Sequence, residues 1–213
     1  LADAHSNLGV ILKNLGKLKE AELSIRKAIE LKPSFAEAHF NLGNIFTDLG
    51  KSQEAELSLR KAIELKPSYA EAHSNLGNIL RNLGKLKEAE LSLRKAIELN
   101  PSQAKAYFNL GSLLEETGNR IKSKEYWAKA IELRPDSETY IRHLALHLCL
   151  EKKYELAIQY LKKNSSDSCQ SLYLGCLLSL DREKEFDLKY KELTKKGTIN
   201  AEFGAIIEHA RII

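Results

Sequence analysis

The stretch AEAHFNLGNIFTDLGKSQEAELSLRKAIELKP, residues 36–67, decides the fold. It carries two helical patterns with their stop signals and returns almost unchanged as AEAHSNLGNILRNLGKLKEAELSLRKAIELNP at residues 70–101. Working outward, Pro33, Pro67, Pro101 and Pro135 fall 34 residues apart, and two glycine series, Gly9, Gly43, Gly77, Gly111 and Gly16, Gly50, Gly84, Gly118, keep the same beat. A period of this length marks stacked helical hairpins. Within residues 36–69, Phe40, Leu42, Ile45, Phe46 and Leu49 recur at three- and four-residue steps and predict one amphipathic helix. Gly50 closes it, because glycine readily takes the left-handed conformation. Ala55, Leu59, Ala62, Ile63 and Leu65 form the return helix, and Pro67 forbids its continuation.

Small residues mark close approach. Gly43, Ala55 and Ala62 sit where larger side chains would push the two helices apart. Ser34 with Glu37, and Ser68 with Glu71, stand in the S-x-x-E spacing that predicts reciprocal capping of a helix start; at Ser102 the partner is Lys105 instead. Glu22 with Arg26, Glu56 with Arg60, and Glu90 with Arg94 are four apart and predict pairs on a solvated face.

These residues carry a family resemblance. Leu42, Gly43, Gly50, Ala55, Ala62 and Pro67 make the unit resemble a tetratricopeptide repeat, over residues 2 to 137. The H-x-N-L-G-N dialect is similar to the repeat arm of the O-linked N-acetylglucosamine transferase. The implied fold is all-α, a right-handed α-solenoid of stacked antiparallel helix pairs, in which each unit buries its apolar face against its neighbours. Four regular units are expected over 1–137 (2–35, 36–69, 70–103 and 104–137). Two degenerate hairpins follow over 138–197, where Leu144 and Ala145 replace the Leu-Gly pair and Lys152 the second glycine. Residues 198–213 read as a capping helix or the start of a further module. The chain opens inside its own rhythm without methionine and ends on Ile212 and Ile213, so it reads as an excerpt of a longer protein.

Binding is expected on first-helix side chains that do not pack. Asn7, Asn41, Asn75 and Asn109 recur once per unit, and an amide that both donates and accepts can track the backbone of an extended peptide. The resemblance implies the same role. Beside them Ser6, Phe40, Ser74 and Phe108 alternate small with large, so Phe40 and Phe108 can bound pockets for apolar side chains or pack on the adjoining repeat. Asn44, Asn78, Arg81 and Lys13, with Ser112, Asp48, Asn82 and Glu116, complete a polar groove. The family's carboxylate clamp needs lysine or arginine at fixed groove positions. Those places hold Ser6, Asn41, Glu71 and Asn75, which speaks against capture of a chaperone tail.

Chemistry is not written in the chain. His5, His39 and His73 lie a repeat apart and fill an aromatic packing slot; His143 and His147 have a two-histidine metal spacing but no third ligand. No phosphate loop or nucleophile elbow occurs, so neither enzyme activity, cofactor nor metal is expected. Cys149, Cys169 and Cys176 follow no pairing pattern and read as reduced, buried side chains. The net charge of +4 comes from 33 basic and 29 acidic residues interleaved, which argues against nucleic acid. No apolar run reaches the roughly 18 residues of a membrane span, and no secretion signal opens the chain, so the expected location is cytoplasmic. The expected function is a protein–protein interaction scaffold that binds an extended peptide. The alternatives are a substrate-recruiting arm of a larger enzyme, a glycosyltransferase or an oxygenase, and a scaffold that self-associates through open repeat ends.

Overall fold

The computed structural model describes residues 1–197, and the helix expected over 198–213 lies outside them. The described residues form twelve helices and no strand. They fall into two compact units, Leu1–Leu133 and the described residues from Arg134 onward, dividing just ahead of residue 138, where the repeat signature fades. The first unit pairs α1 (Ala2–Asn14) with α2 (Leu18–Leu31), α3 (Ala36–Asp48) with α4 (Ser52–Leu65), α5 (Ala70–Asn82) with α6 (Leu86–Leu99), and α7 (Ala104–Glu116) with α8 (Arg120–Leu133). The second holds α9 (Glu138–Leu150), α10 (Tyr154–Leu161), α11 (Asp167–Ser179) and α12 (Glu183–Lys195).

Each hairpin of the first unit closes on a glycine. A Cβ built on Gly43 would lie 2.7 Å from Leu59 Cγ, one on Gly77 2.5 Å from Leu93 Cγ, and one on Gly111 2.6 Å from the Trp127 ring. Opposite them Ala55, Ala62, Ala89 and Ala96 are fully buried, so the small residues let the paired helices close. Leu42, Ile45, Leu76, Ile79, Leu110 and Leu113 then share one core that runs through the hairpins. The second unit lacks this close approach: Ala145 holds the glycine's place, and a Cβ on Gly175 meets nothing within 4 Å.

The turns follow from backbone hydrogen bonds. Gly50, at φ 72°, donates to the Thr47 carbonyl while Lys51 donates to that of Phe46, the paired bonds that close a Schellman end. Lys152 (φ 57°) and Asp181 (φ 55°) take the same left-handed turn without glycine, so the hairpin geometry outlives its signature in the second unit.

The helix starts correct the capping expectation. α3 and α5 have Phe35 and Tyr69 at their N-caps with no side-chain cap bond, because Ser34 and Ser68 belong to the preceding turn, where Phe35 N–H bonds the Lys32 carbonyl and Tyr69 N–H that of Lys66. Histidine ties the turn down instead. His39 Nε2 lies 2.9 Å from the Pro33 carbonyl and His73 Nε2 3.0 Å from that of Pro67. A carbonyl only accepts, so each Nε2 carries the proton.

The outer helices also do more than the solvated-face reading allowed. Glu56 pairs with Arg60 at 2.9 Å as its spacing predicts, but it is only 8% exposed and also accepts from Lys85 of the next hairpin at 2.8 Å. Arg60 reaches on to Glu88 at 2.5 Å. Burial by itself raises the Glu56 pKa, yet the bonds from Lys85 and Arg60 together outweigh it and hold the carboxyl below the ordinary glutamate range.

Two outcomes are expected. Replacing Gly77 with leucine should cost about 1–3 kcal/mol in urea denaturation through overpacking against Leu93, and an unchanged midpoint would overturn the packing assignment. For Glu56, a depressed folded-state pKa means a stabilisation that is complete above the ordinary value of 4.5 and fades as pH falls through the folded value. Melting curves should therefore separate the parent from Glu56→Gln at neutral pH and converge in acid; a gap that persists in acid would exclude the ionised pair as its source.

Candidate functional site

The first helices of the first unit lie beside one another, and their shared polar face is lined by the residues that the repeat does not use for packing. A cleft of about 240 Å³ opens there, bounded by Lys13 of α1, Asn44, Thr47 and Asp48 of α3, Asn75 and Asn78 of α5, and Lys105 of α7. All four hairpins thus contribute to one site.

A polar relay crosses it. Lys105 Nζ donates to Asn75 Oδ1 at 2.8 Å, and Asn75 Nδ2 donates to Asn44 Oδ1 at 2.6 Å. Lys13 Nζ lies 3.1 Å from Asp48, the one carboxylate of the lining, whereas Lys105 bonds an amide there. Lys105 is exposed as a residue, but it lines the cleft, where partial loss of solvent, followed by repulsion from Lys13, lowers its pKa from the ordinary lysine value, and Asp48 offsets this only in part. Farther along the same face Arg81 lies 4.0 Å from Glu116.

The asparagine series does not present four equal amides. Asn7 is exposed. Asn41 reaches back to Ser6 Oγ with a long 3.5 Å contact, and Asn75 is engaged on both sides by the relay. Asn109 is 7% exposed, and its Nδ2 finds no partner, nor does the hydroxyl of Ser74, which stands to Asn109 as Ser6 stands to Asn41. Two of the four amides, Asn41 and Asn75, are therefore bonded to neighbouring repeats, and a third, Asn109, is buried. A preceding serine does not decide the outcome, since Asn41 folds back onto Ser6 while Asn109 makes no bond to Ser74. Where Phe40 stands, the ring packs on Tyr69 at a centroid distance of 4.8 Å, and Asn75 turns to Asn44 and Lys105. Phe108 is half-buried.

Of the residues singled out from sequence, the cleft gathers Lys13, Asn44, Asn75 and Asn78. It does not gather Asn7, Asn41, Asn109, Phe40, Phe108 or Arg81. Lys105 is the residue the sequence reading missed. Its signal was the lost S-x-x-E glutamate in the fourth unit, where a cation takes the place of Glu37 and Glu71. The clamp positions Ser6, Asn41, Glu71 and Asn75 lie in the first three units, whereas Asn44, Asn75 and Lys105 belong to the second, third and fourth. Among the described residues no group of three or more histidine, cysteine or acidic side chains is arranged to hold a metal ion. Nor is any helix among them long and apolar enough to cross a membrane.

Models described as tetratricopeptide repeat match residues 2–35, 25–56 and 104–137, and one described as TPR repeat matches 43–84 and 77–118. No curated protein matches the chain. Among solved structures, PilF of Pseudomonas aeruginosa superposes with a TM-score of 0.76 at 23% identity, over 98% of this chain and 97% of that one. PilW, described as a type IV pilus biogenesis factor, gives 0.75 at 19% identity over 97% and 98%. YrrB, described as a TPR protein with an unusual peptide-binding site, gives 0.60 at 24% identity over 86% and 92%. At these identities the likeness is one of fold.

The electrostatics of the cleft can be tested directly. Lys13→Met removes a like charge and frees Asp48, and both changes favour the charged form of Lys105. Its pKa, followed by NMR of the lysine side-chain signals, should move up toward the ordinary value; no movement would show that the two lysines do not share a site.

Proposed function

Because the chain belongs to the tetratricopeptide-repeat family, whose members are protein-interaction scaffolds, we propose that it captures an extended segment of another protein along the shared face of α1, α3, α5 and α7. The cleft between Lys13 and Lys105 receives an acidic group of that segment, a side-chain or terminal carboxylate. One observation carries this reading: a single cleft draws polar side chains from four hairpins, and while its carboxylate, Asp48, pairs with Lys13, its second cation, Lys105, is held by an amide relay.

The chemistry follows from the relay. Asn75 Oδ1 fixes one proton of the Lys105 ammonium and leaves the others free to donate to an anion, a charge-assisted bond stronger than one between neutral groups. Asn78 and the remaining donor of Asn44 lie in the same lining and suit a peptide carbonyl. An incoming carboxylate also relieves the repulsion between Lys13 and Lys105, so part of its binding energy comes from undoing an unfavourable arrangement. The scaffold itself is non-catalytic in this reading, and any reaction belongs to the partner.

A random peptide display library selected on the whole chain and counter-selected on the Asn75→Ala, Lys105→Ala double variant tests the proposal. Enriched sequences should share an aspartate, glutamate or free C-terminus, and their affinity should fall at least about tenfold in the variant. The melting temperature should stay unchanged, since neither side chain lies in the core. Selected peptides that lack an acidic group, or that bind both proteins equally, would overturn it.

A further inference from the structure

The second unit brings together two cysteines that the sequence spacing did not associate. Cys149 stands in the last turn of α9 and Cys176 on α11, and their sulfur atoms lie 3.2 Å apart. A disulfide needs about 2.05 Å between sulfurs, so closing this gap takes roughly an ångström of side-chain rotation. The two thiols differ in access. Cys149 is half-buried, whereas Cys176 is 1% exposed. Burial, reinforced by the neighbouring Cys149, pushes the Cys176 thiol up to about 12, so Cys149 is the one that meets an oxidant first.

We infer that Cys149 and Cys176 are a covalent modification site, closed by hydroperoxides into an intramolecular disulfide that staples α9 to α11. The Cys149 thiolate attacks the peroxide, the O–O bond breaks, and hydroxide leaves with a sulfenic acid formed on Cys149. The Cys176 sulfur then attacks the Cys149 sulfur, the S–S bond forms as the S–O bond breaks, and water departs with the thiol proton. Two thiols and one hydrogen peroxide thus give one disulfide and two waters. Burial of Cys176 keeps free oxidant from it, while a sulfenic acid on Cys149 forms in contact with its sulfur.

The position gives the staple a consequence. α10, which joins the two linked helices, has 8 residues, against 14 in each return helix of the first unit. The second unit also lacks the glycine-to-leucine approach of the first. A bond from α9 to α11 bypasses the short helix and removes freedom from the unfolded segment between the cysteines. Cys169 is fully buried on α11 and takes no part, which makes it the internal control.

The full-length chain, fully reduced and then treated with stoichiometric hydrogen peroxide, should fall from three titratable thiols to one when counted under denaturing conditions. Its mass should drop by two hydrogens. In a Cys169→Ser background, peptide mapping should link the segment containing Cys149 to that containing Cys176. The oxidised chain should melt about 5 °C or more higher, with reductant reversing the shift. Cys149→Ser should abolish both changes, and Cys176→Ala should leave Cys149 as a trappable sulfenic acid. Three free thiols after treatment, a link to Cys169, a dimer, or direct over-oxidation of Cys149 would each overturn the inference.

Discussion

The contact on which the rest depends is the one between a first-helix residue without a side chain and a large apolar residue of its return helix. At Gly43, Gly77 and Gly111 there is no room for a Cβ, because Leu59, Leu93 and Trp127 already fill the space. Helices that approach this closely exclude water along their length, and the alanines facing them complete the seam. Once the pair spacing is set, neighbouring hairpins bury what remains of each apolar face against one another, and the first helices come to rest side by side. A polar face with no packing duty follows from that geometry. Without it, Lys105 and Asn44 would not be linked through one amide two hairpins apart in sequence.

The second unit shows what happens when the contact is lost. With Ala145 in place of the glycine and nothing near Gly175, its hairpins keep their turns by forcing Lys152 and Asp181 into left-handed backbone. A non-glycine residue in that conformation costs about 1–2 kcal/mol, so these turns are held by the surrounding packing and not by local preference. The Cys149–Cys176 proximity arises in this looser setting, where α10 is short and a half-buried thiol meets a buried one.

What was legible in the sequence was whatever repeats. The 34-residue beat, the helix ends at Gly50 and Pro67, and the close approach at Gly43 are local consequences of residue type, and each stands in the structure where the pattern put it. The capping serines were illegible because S-x-x-E fits two registers one residue apart, and only backbone geometry shows that Phe35 and Tyr69 are the N-caps. Glu56 looked like half of a surface pair because its second partner, Lys85, is 29 residues away. Lys105 was passed over for a related reason. A pattern read unit by unit treats a departure as decay, whereas the structure makes it the chemically distinct member of a site spanning all four hairpins.

Near-identical repeats would present the same polar face in every unit, and this array does not. Asn41, Asn75 and Asn109 occupy equivalent positions, yet one leans on Ser6, one is engaged by Asn44 and Lys105, and one is buried with an unpaired Nδ2. Phe40 at the adjoining position and Lys105 in the fourth unit set Asn75 apart, while Asn41 and Asn109 differ although a serine precedes each. An amide already committed to the next repeat must break that bond before it can hold a peptide, while an ammonium group fixed by one bond keeps donors in hand. The chemically distinct point of the shared face therefore lies where the copies diverge, and the repeating period supplies the frame that aligns them.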